Sequence, residues 1–215
     1  MRHYGNRERA LAIGLAVLSG FVDALGFLKL GGMFVSFMSG NTTRMAVGAT
    51  TSVDGSLFAG ALIAAFMSGV MAGTAIVGAA GRWRKQAVLA FVCMMLTLAC
   101  LVEMLFGSVV ATLLMASGMG AANTVFQRDG EVSVGVTYMT GTLVKLGQHL
   151  TLALSGGAKL AWIPYFSLWI GLVAGGVAGA KAFSILGLQA LWIAIGFAAL
   201  LFVHAVALGP LNEAE

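Results

Sequence analysis

Two short stretches rich in hydrogen-bonding side chains interrupt an otherwise apolar sequence. The first is FVSFMSGNTTRMAVG at residues 34–48, and the second is VGVTYMTGTLVKLGQ at residues 134–148. Both contain the pattern M-[ST]-G-x-x-x-[RK]. Hydroxyl and amide groups donate and accept hydrogen bonds without being ionised, so they suit recognition of a small polar solute. The candidate substrate-binding residues in these stretches are Ser39, Gly40, Asn41, Thr42, Thr140, Gly141 and Thr142.

Four further residues outside this set have side chains suited to the same site. Asp23 lies well inside the first apolar segment, where a charged group usually faces a cavity or a partner. It is expected to carry a proton, to pair with Arg44, or to form a structural ion pair or cap at a helix break. Arg44 and Lys145 end the two copies of the pattern, where each is expected to attract an anion, reach the membrane surface or pair with a carboxylate. Asn123 is expected to line the same cavity.

The sequence contains none of the motifs that would indicate an enzyme. G-x-S-x-G, H-E-x-x-H and the phosphate-binding loop are all missing, and no Cys/His cluster has metal-ligand spacing. Cys93 and Cys100 lie seven residues apart on one predicted helix, about 10 Å along its axis, which is too far for a disulfide. We therefore expect no catalytic activity and neither a cofactor nor a metal.

Composition places the chain in a membrane. Of its 215 residues, 60% are hydrophobic and 9% charged, and the mean hydropathy is +0.97. Soluble domains contain about 25% charged residues, so this chain has too little polar surface to cover a globule in water. The net charge of +4 is better explained by basic residues that set membrane topology than by nucleic-acid binding. We predict an all-α polytopic membrane protein whose partner is the lipid bilayer and not nucleic acid.

Hydropathy divides the chain into eight segments. They form two series of four: A (9–30), B (33–50), C (56–80) and D (86–106), then A′ (109–127), B′ (133–155), C′ (162–182) and D′ (187–208). Aligning residue 34 with residue 135 superposes the two polar stretches. Further anchors align residues 19–24 with 117–122, which places Ala121 opposite Asp23, and residues 69–73 with 171–175. This order predicts a duplication, with repeats at residues 1–107 and 108–215.

The distribution of basic residues predicts the topology. The N-terminus contains Arg2, Arg7 and Arg9, and the C–D connection contains residues 82–85, RWRK, so both are expected in the cytoplasm. Segment B must then begin and end on the outer side, as a broken or re-entrant helix with Gly40, and in B′ Gly141, as the break points. The result is about six spans arranged as a 3+3 inverted repeat. The alternative is that B and B′ span fully, which gives eight helices in parallel repeats.

An inverted repeat with two broken helices is typical of secondary transporters, whose substrates bind near the midplane. We therefore predict a small-solute transporter with an unidentified solute between the two polar stretches. The alternatives are a channel, or a regulatory or scaffolding membrane protein whose hydroxyl groups bond to their own backbone. The glycine steps at residues 69–73 and 171–179 are expected to pack helices internally or to form a homo-oligomer.

The motifs resemble one family of bacterial membrane proteins. GFVDA at residues 20–24, FVSFMSGNT at 34–42, SGMGAA at 117–122 and YMTGTL at 138–143 resemble the YoaK family, also called DUF1275. The Asp and [ST]-G-N positions of that family map onto Asp23 and residues 39–41, whereas its Gln-Asn pair is replaced by Gly120 and Ala121. The resemblance spans most of the chain. It implies about six spans in the bacterial inner membrane and implies no substrate.

Overall fold

The computed structural model describes residues 5–128 and 131–210. Arg2, one of the residues used to predict the orientation, lies outside this part. The described helices are α1 (Asn6–Lys29), α2 (Met38–Thr51), α3 (Val53–Ala80), α4 (Arg84–Phe106), α5 (Val110–Ala122), α6 (Met139–Leu154), α7 (Ile163–Leu186) and α8 (Leu191–Leu208). Short 3₁₀ turns precede α4 and α8, at Gly81–Trp83 and Gly187–Ala190. The predicted all-α class is confirmed, apart from one antiparallel pair of two-residue strands, β1 (Gln127–Arg128) and β2 (Glu131–Val132).

Three continuous helical stretches are long and apolar enough to cross a membrane. They are residues 6–29, 53–106 and 163–208. The second and third are each divided by a 3₁₀ turn that begins at a glycine with positive φ, Gly81 or Gly187, so each contains two helices. The apolar helix α5 is shorter, at 13 residues. Eight helices thus occupy the eight predicted segments, and α2, α5 and α6 are the three short ones, with 14, 13 and 16 residues.

Four helices form the centre of the molecule. Helices α1, α4, α5 and α8 contact one another, and they supply most of the fully buried apolar side chains. Helix α7 packs along α1, and α3 packs along α5. Helix α2 then lies on α3, and α6 lies on α7. The contacts made by α1, α2 and α3 are therefore mirrored by those of α5, α6 and α7.

Glycine residues allow the two outer pairs of helices to approach closely. A Cβ atom at Gly20 would meet the backbone carbonyl of Leu172, and one at Gly175 would meet that of Val17, so α1 and α7 touch backbone to backbone. Where α3 crosses α5, a Cβ atom at Gly69 would meet the backbone carbonyl of Ser117, and one at Gly120 would meet that of Phe66.

These glycine faces are buried inside one chain. Gly69, Gly73, Gly171, Gly175 and Gly179 all pack against α5 or α1. They are therefore not free to form the homo-oligomer interface that the sequence left open. The equivalent contacts also correct the repeat register, because Gly69 corresponds to Gly175 rather than to Gly171.

Two ion pairs fix the relative direction of α1 and α4. Glu8 pairs with Lys85 at the start of both helices, and Lys29 pairs with Glu103 near the end of both, at 2.5 Å. The two helices therefore run in the same direction. Because α3 ends where α4 begins, α3 starts at the far end of α1. Residues 30–52, which include α2, thus leave and return to the same end of the molecule.

The sequence predicted helix breaks at Gly40 and Gly141, but the breaks lie elsewhere. Both glycines are inside the first turn of a helix, α2 or α6. The non-helical backbone comes earlier, at residues 30–37 and at the described residues 123–128 and 131–138, and includes Gly31 and Gly32 at φ of 63° and 114°. Helix α5 also ends at Ala122, five residues before the predicted end of segment A′. Tertiary hydrogen bonds to these stretches explain the difference.

Candidate functional site

Asp23 holds the extended backbone that precedes α2. Its Oδ1 atom accepts hydrogen bonds from the backbone N–H of Val35 at 2.9 Å and of Ser36 at 2.8 Å. Both donor residues are buried. A carboxylate that accepts two backbone N–H groups makes charge-assisted hydrogen bonds, which are stronger than neutral ones. Asp23 thus fixes residues 35 and 36 against α1 and does not pair with Arg44, in contrast to one of the sequence-based expectations.

Asn41 holds the same stretch from the other side. Its Oδ1 atom accepts from the Phe34 N–H at 2.9 Å, and its Nδ2 atom donates to the Phe34 carbonyl at 2.6 Å. The Asn41 side chain is fully buried. An amide that binds both backbone groups of one residue mimics a strand pairing. Asp23 and Asn41 together hold residues 34–36 in place, and the helix begins at Met38.

Asn123 holds the backbone that precedes α6, as Asp23 holds the backbone that precedes α2. Its Oδ1 atom accepts from the backbone N–H of Thr137 at 3.3 Å and from the Thr137 hydroxyl at 3.1 Å, and its Nδ2 atom donates to the Met119 carbonyl at 3.0 Å. The counterpart of Asp23 is therefore Asn123 and not Ala121. The sequence alignment was two residues out of register here, because apolar helices offer few distinctive residues to align.

The N-termini of α2 and α6 meet at a cavity of about 270 Å³. Its walls contain four pairs of residues at equivalent positions in the two polar stretches, together with Phe66 of α3 and Gly141. The pairs are Ser36 with Thr137, Phe37 with Tyr138, Met38 with Met139, and Ser39 with Thr140. The cavity therefore lies between the two copies of the pattern found in the sequence.

The electrostatic character of this cavity comes from backbone and hydroxyl groups. No side chain caps the N-terminus of α2 or of α6. The first N–H groups of a helix have no partner within the helix, and the helix dipole makes that end positive. None of the residues that line the cavity carries a charge. The site thus offers hydrogen-bond donors to a bound molecule, and the Asp23 carboxylate lies behind Ser36 of its wall.

Some predicted site residues line the cavity, whereas others support it. Ser39, Thr140 and Gly141 are in its wall. Asn41 and Asn123 are buried in the contacts described above and do not belong to that wall. Their role is to position the backbone.

The remaining predicted residues do not line this cavity: Thr42 is exposed on α2, and Thr142 lines the smaller cavity beside Lys145. The Thr42 hydroxyl donates to the Met38 carbonyl at 2.9 Å, and the Thr142 hydroxyl donates to that of Tyr138 at 3.1 Å. Both hydroxyl groups thus bond to nearby backbone carbonyls of their own stretch, which is the alternative that the sequence left open. Gly40 packs against the ring of Phe37.

Sequence reasoning missed the residues just before each helix. Ser36, Phe37, Thr137 and Tyr138 all line the cavity. Their hydroxyl and aromatic types repeat between the two stretches, so the pairing was visible in the sequence. The side they face was not visible, because it depends on where the helix starts.

Arg44 and Lys145 each border a separate cavity. The Arg44 guanidinium packs over Gly32 and lines a cavity of about 280 Å³ with Met33 and Val47. Lys145 lines a smaller cavity of about 40 Å³ that includes Ser133. Both side chains belong to exposed residues of α2 and α6. They lie further along these helices than the central cavity.

A further cavity is an apolar groove between α1 and α7. It has a volume of about 520 Å³, and it includes Phe27, Leu28 and Val177, with Asp23 as its one ionisable residue. Among residues 5–128 and 131–210, no three His, Cys, Asp or Glu side chains gather as a metal site requires.

Comparisons with known proteins place the chain among membrane proteins. A family model described as "Protein of unknown function (DUF1275)" matches residues 11–204. UPF0700 transmembrane protein RA0705 of Rhizobium meliloti (strain 1021) is 37% identical over 196 residues, which cover 91% of this chain and 84% of that protein. UPF0700 transmembrane protein YoaK of Bacillus subtilis (strain 168) is 27% identical over 146 residues, 64% of each chain. No solved structure matches the chain.

Proposed function

The chain belongs to the DUF1275 family, and we propose that this member is a small-solute secondary transporter of the bacterial inner membrane. The observation that carries the proposal is the cavity of about 270 Å³ between the N-termini of α2 and α6. Broken helices whose ends meet at a central cavity are the usual binding sites of secondary transporters. The solute would contact Ser39 and Thr140 on opposite sides of this cavity.

The depth at which α2 and α6 begin, together with their lengths, supports their assignment as half-spans. Length alone is not sufficient, because α5, one of the proposed spans, itself has only 13 residues. Helices α2 and α6 contain 14 and 16 residues, which correspond to about 21 and 24 Å, whereas a hydrocarbon core is about 30 Å thick. The N-terminus of α2 lies beside Phe66, near the middle of α3. A non-helical backbone at that depth is tolerated where protein buries it or water reaches it, and residues 34–36 are held by Asp23 and Asn41.

The repeated contacts support an inverted repeat of residues 1–107 and 108–215. Helix α1 packs on α7 as α5 packs on α3, and Asp23 binds residues 35–36 as Asn123 binds residue 137. In this proposal α1, α3, α4, α5, α7 and α8 are the six spans, and α2 and α6 enter from opposite sides. The N-terminus is cytoplasmic, because Arg7 and residues 82–85 lie at the same end of the molecule.

Asp23 is the proposed coupling residue. Its carboxylate borders the groove between α1 and α7 and also holds the backbone in front of α2. A proton on this carboxylate would weaken both hydrogen bonds, since the bonds to a charged acceptor are the stronger ones. Proton binding and the position of α2 would therefore be linked. The second half has the uncharged Asn123 at this place, so the link exists on one side only.

A transport assay tests the proposal. The protein is reconstituted into liposomes, and uptake is measured for a panel of neutral, anionic and cationic solutes with and without a pH gradient. Ser39→Ala and Thr140→Ala are expected to raise the KM for the transported solute, because each removes a cavity hydroxyl. Thr50→Ala is the matched control, since this threonine bonds to Val47 on the same helix outside the cavity.

Three results of this assay would contradict the proposal. Equal uptake by all variants would remove the cavity as the binding site. Passive flux that follows the solute gradient without saturating would indicate a channel, and no flux of any solute would indicate a regulatory or scaffolding role. Asp23→Asn is expected to abolish the effect of the pH gradient on uptake.

A further inference from the structure

We propose that the transported solute is a small organic carboxylate, guided to the central cavity by Arg44 from one side and by Lys145 from the other. This inference rests on the transporter function proposed above and adds the class of solute. Arg44 and Lys145 occupy the same position in the two copies of the pattern, six residues after the first residue of α2 and of α6. That spacing places each Cα about 9 Å along the helix axis from the cavity.

Among residues 5–128 and 131–210, neither cation has a counter-ion. Glu8 and Glu103 are taken by Lys85 and Lys29, and the Asp23 carboxylate is bound to the backbone of residues 35 and 36. No hydrogen bond or ion pair of Arg44 or Lys145 occurs within the described ranges. Cations without partners within membrane-inserted helices are costly, and they usually mark the path of a substrate or ion.

The two cations stand in cavities on opposite sides of the centre. Arg44 lines the cavity formed by the end of α2, the start of α3 and Met33, and Lys145 lines the one formed by α6, the preceding loop and Tyr165 of α7. The α2 cavity lies toward the end of the molecule that contains Lys29, and the α6 cavity toward the end that contains Glu8. An anion that enters from either end would therefore meet one cation before it reaches the centre.

The central cavity matches an anion that also has an apolar part. The hydroxyl groups of Ser39, Tyr138 and Thr140 and the backbone N–H donors suit the oxygen atoms of a carboxylate, and a cationic solute would find no carboxylate among the lining residues. Phe37, Phe66, Tyr138 and the two methionines supply aromatic and thioether surface. These walls would cover the apolar body of the solute once its charged group is bound. The combination favours an organic acid over an inorganic anion.

Thermal stabilisation of the purified protein tests this inference without requiring transport. Benzoate, its neutral isostere benzamide, and inorganic phosphate are titrated against the protein in detergent, and the shift in Tm is recorded. Benzoate is expected to raise the Tm in a saturable manner, whereas benzamide and phosphate are not. Arg44→Gln and Lys145→Gln are expected to weaken benzoate binding on the order of tenfold each, from the loss of a nearby charge at intermediate dielectric. Lys181→Gln, an exposed cation on α7 outside these cavities, should bind benzoate as the wild type does.

The outcomes separate this inference from the transporter proposal. Equal stabilisation by benzoate and benzamide, or by no anion, would overturn the carboxylate class. So would unchanged benzoate binding in both Gln variants. Stabilisation by phosphate alone would show an inorganic anion site instead. Carboxylate binding without flux in liposomes would support the binding site and refute transport. Saturable uptake of a neutral solute without carboxylate binding would support transport and refute the carboxylate class.

Discussion

Replacement of Asp23 should separate its structural role from its charge. In Asp23→Ala, the N–H groups of Val35 and Ser36 lose their acceptor. Both residues are almost fully buried, at 0% and 5% exposure, so water does not replace the missing partner. A buried donor left unsatisfied costs about 1–3 kcal/mol, so the two together should cost about 2–6 kcal/mol.

Asp23→Asn should be much milder, because the molecule already uses an asparagine for this purpose. The Asn123 amide oxygen accepts from both the N–H and the hydroxyl of Thr137. An amide oxygen at position 23 is expected to accept from residues 35 and 36 in the same way. The loss of charge assistance roughly halves the strength of such bonds, which corresponds to about 1 kcal/mol. The reverse exchange, Asn123→Asp, should be harmful, since a carboxylate oxygen would replace the amide that donates to the Met119 carbonyl.

The assay is thermal unfolding of the purified variants, with the Tm as readout. About 1 kcal/mol shifts the Tm of a chain of this size by roughly 2–4 °C. Asp23→Ala should therefore melt roughly 4–24 °C below the wild type, and Asp23→Asn within about 4 °C of it. If Asp23→Ala melts with the wild type, or Asp23→Asn falls as far as Asp23→Ala, Asp23 does not hold the backbone as described.

Two further predictions test the packing and the topology. Gly175→Ala should destabilise the protein by about 1–3 kcal/mol, because its Cβ would meet the Val17 carbonyl, whereas Gly196→Ala has open space around it and should melt as the wild type does. With both native cysteines replaced by alanine, Thr51→Cys should react with an impermeant maleimide from the same side as Val109→Cys, and Trp83→Cys from the opposite side. Trp83 and Val109 are equally exposed, at 51% each, so a difference in the labelling of their cysteine variants reports the side of the membrane. Labelling of Thr51→Cys from the same side as Trp83→Cys would show that α2 spans the membrane.

The sequence predicted the positions of the helical segments better than the alignment of the first four segments with the second four. All eight segments contain a helix, because long apolar runs in lipid have little choice except to satisfy their backbone as helices. The two polar stretches were also recognised as a related pair, since a shared pattern of polar residues is conspicuous in an apolar chain. The alignment of the apolar helices failed by two to four residues. Asp23 matched Ala121 in sequence, although Asn123 makes the equivalent contacts.

The site residues were predicted in part for the same reason. Ser39, Thr140 and Gly141 lie in the wall of the central cavity, and their role in substrate binding stays a prediction. Asn41 was selected for its polarity, but its amide binds the backbone of Phe34. A polar residue next to a helix start has two sets of acceptors and donors within reach, the backbone and the cavity. The choice between them depends on the direction of the side chain.

The amino-acid sequence by itself determined that this chain is a helical membrane protein with two related polar stretches, because composition and periodicity act locally and need no knowledge of distant contacts. Only the tertiary structure decided where the helices α2 and α6 begin and which hydroxyl groups face the space between them. Those starts depend on Asp23 and Asn123, which lie 12–14 residues from the backbone they bind. Contacts across such separations form only when the neighbouring helices have packed, so no local pattern contains them.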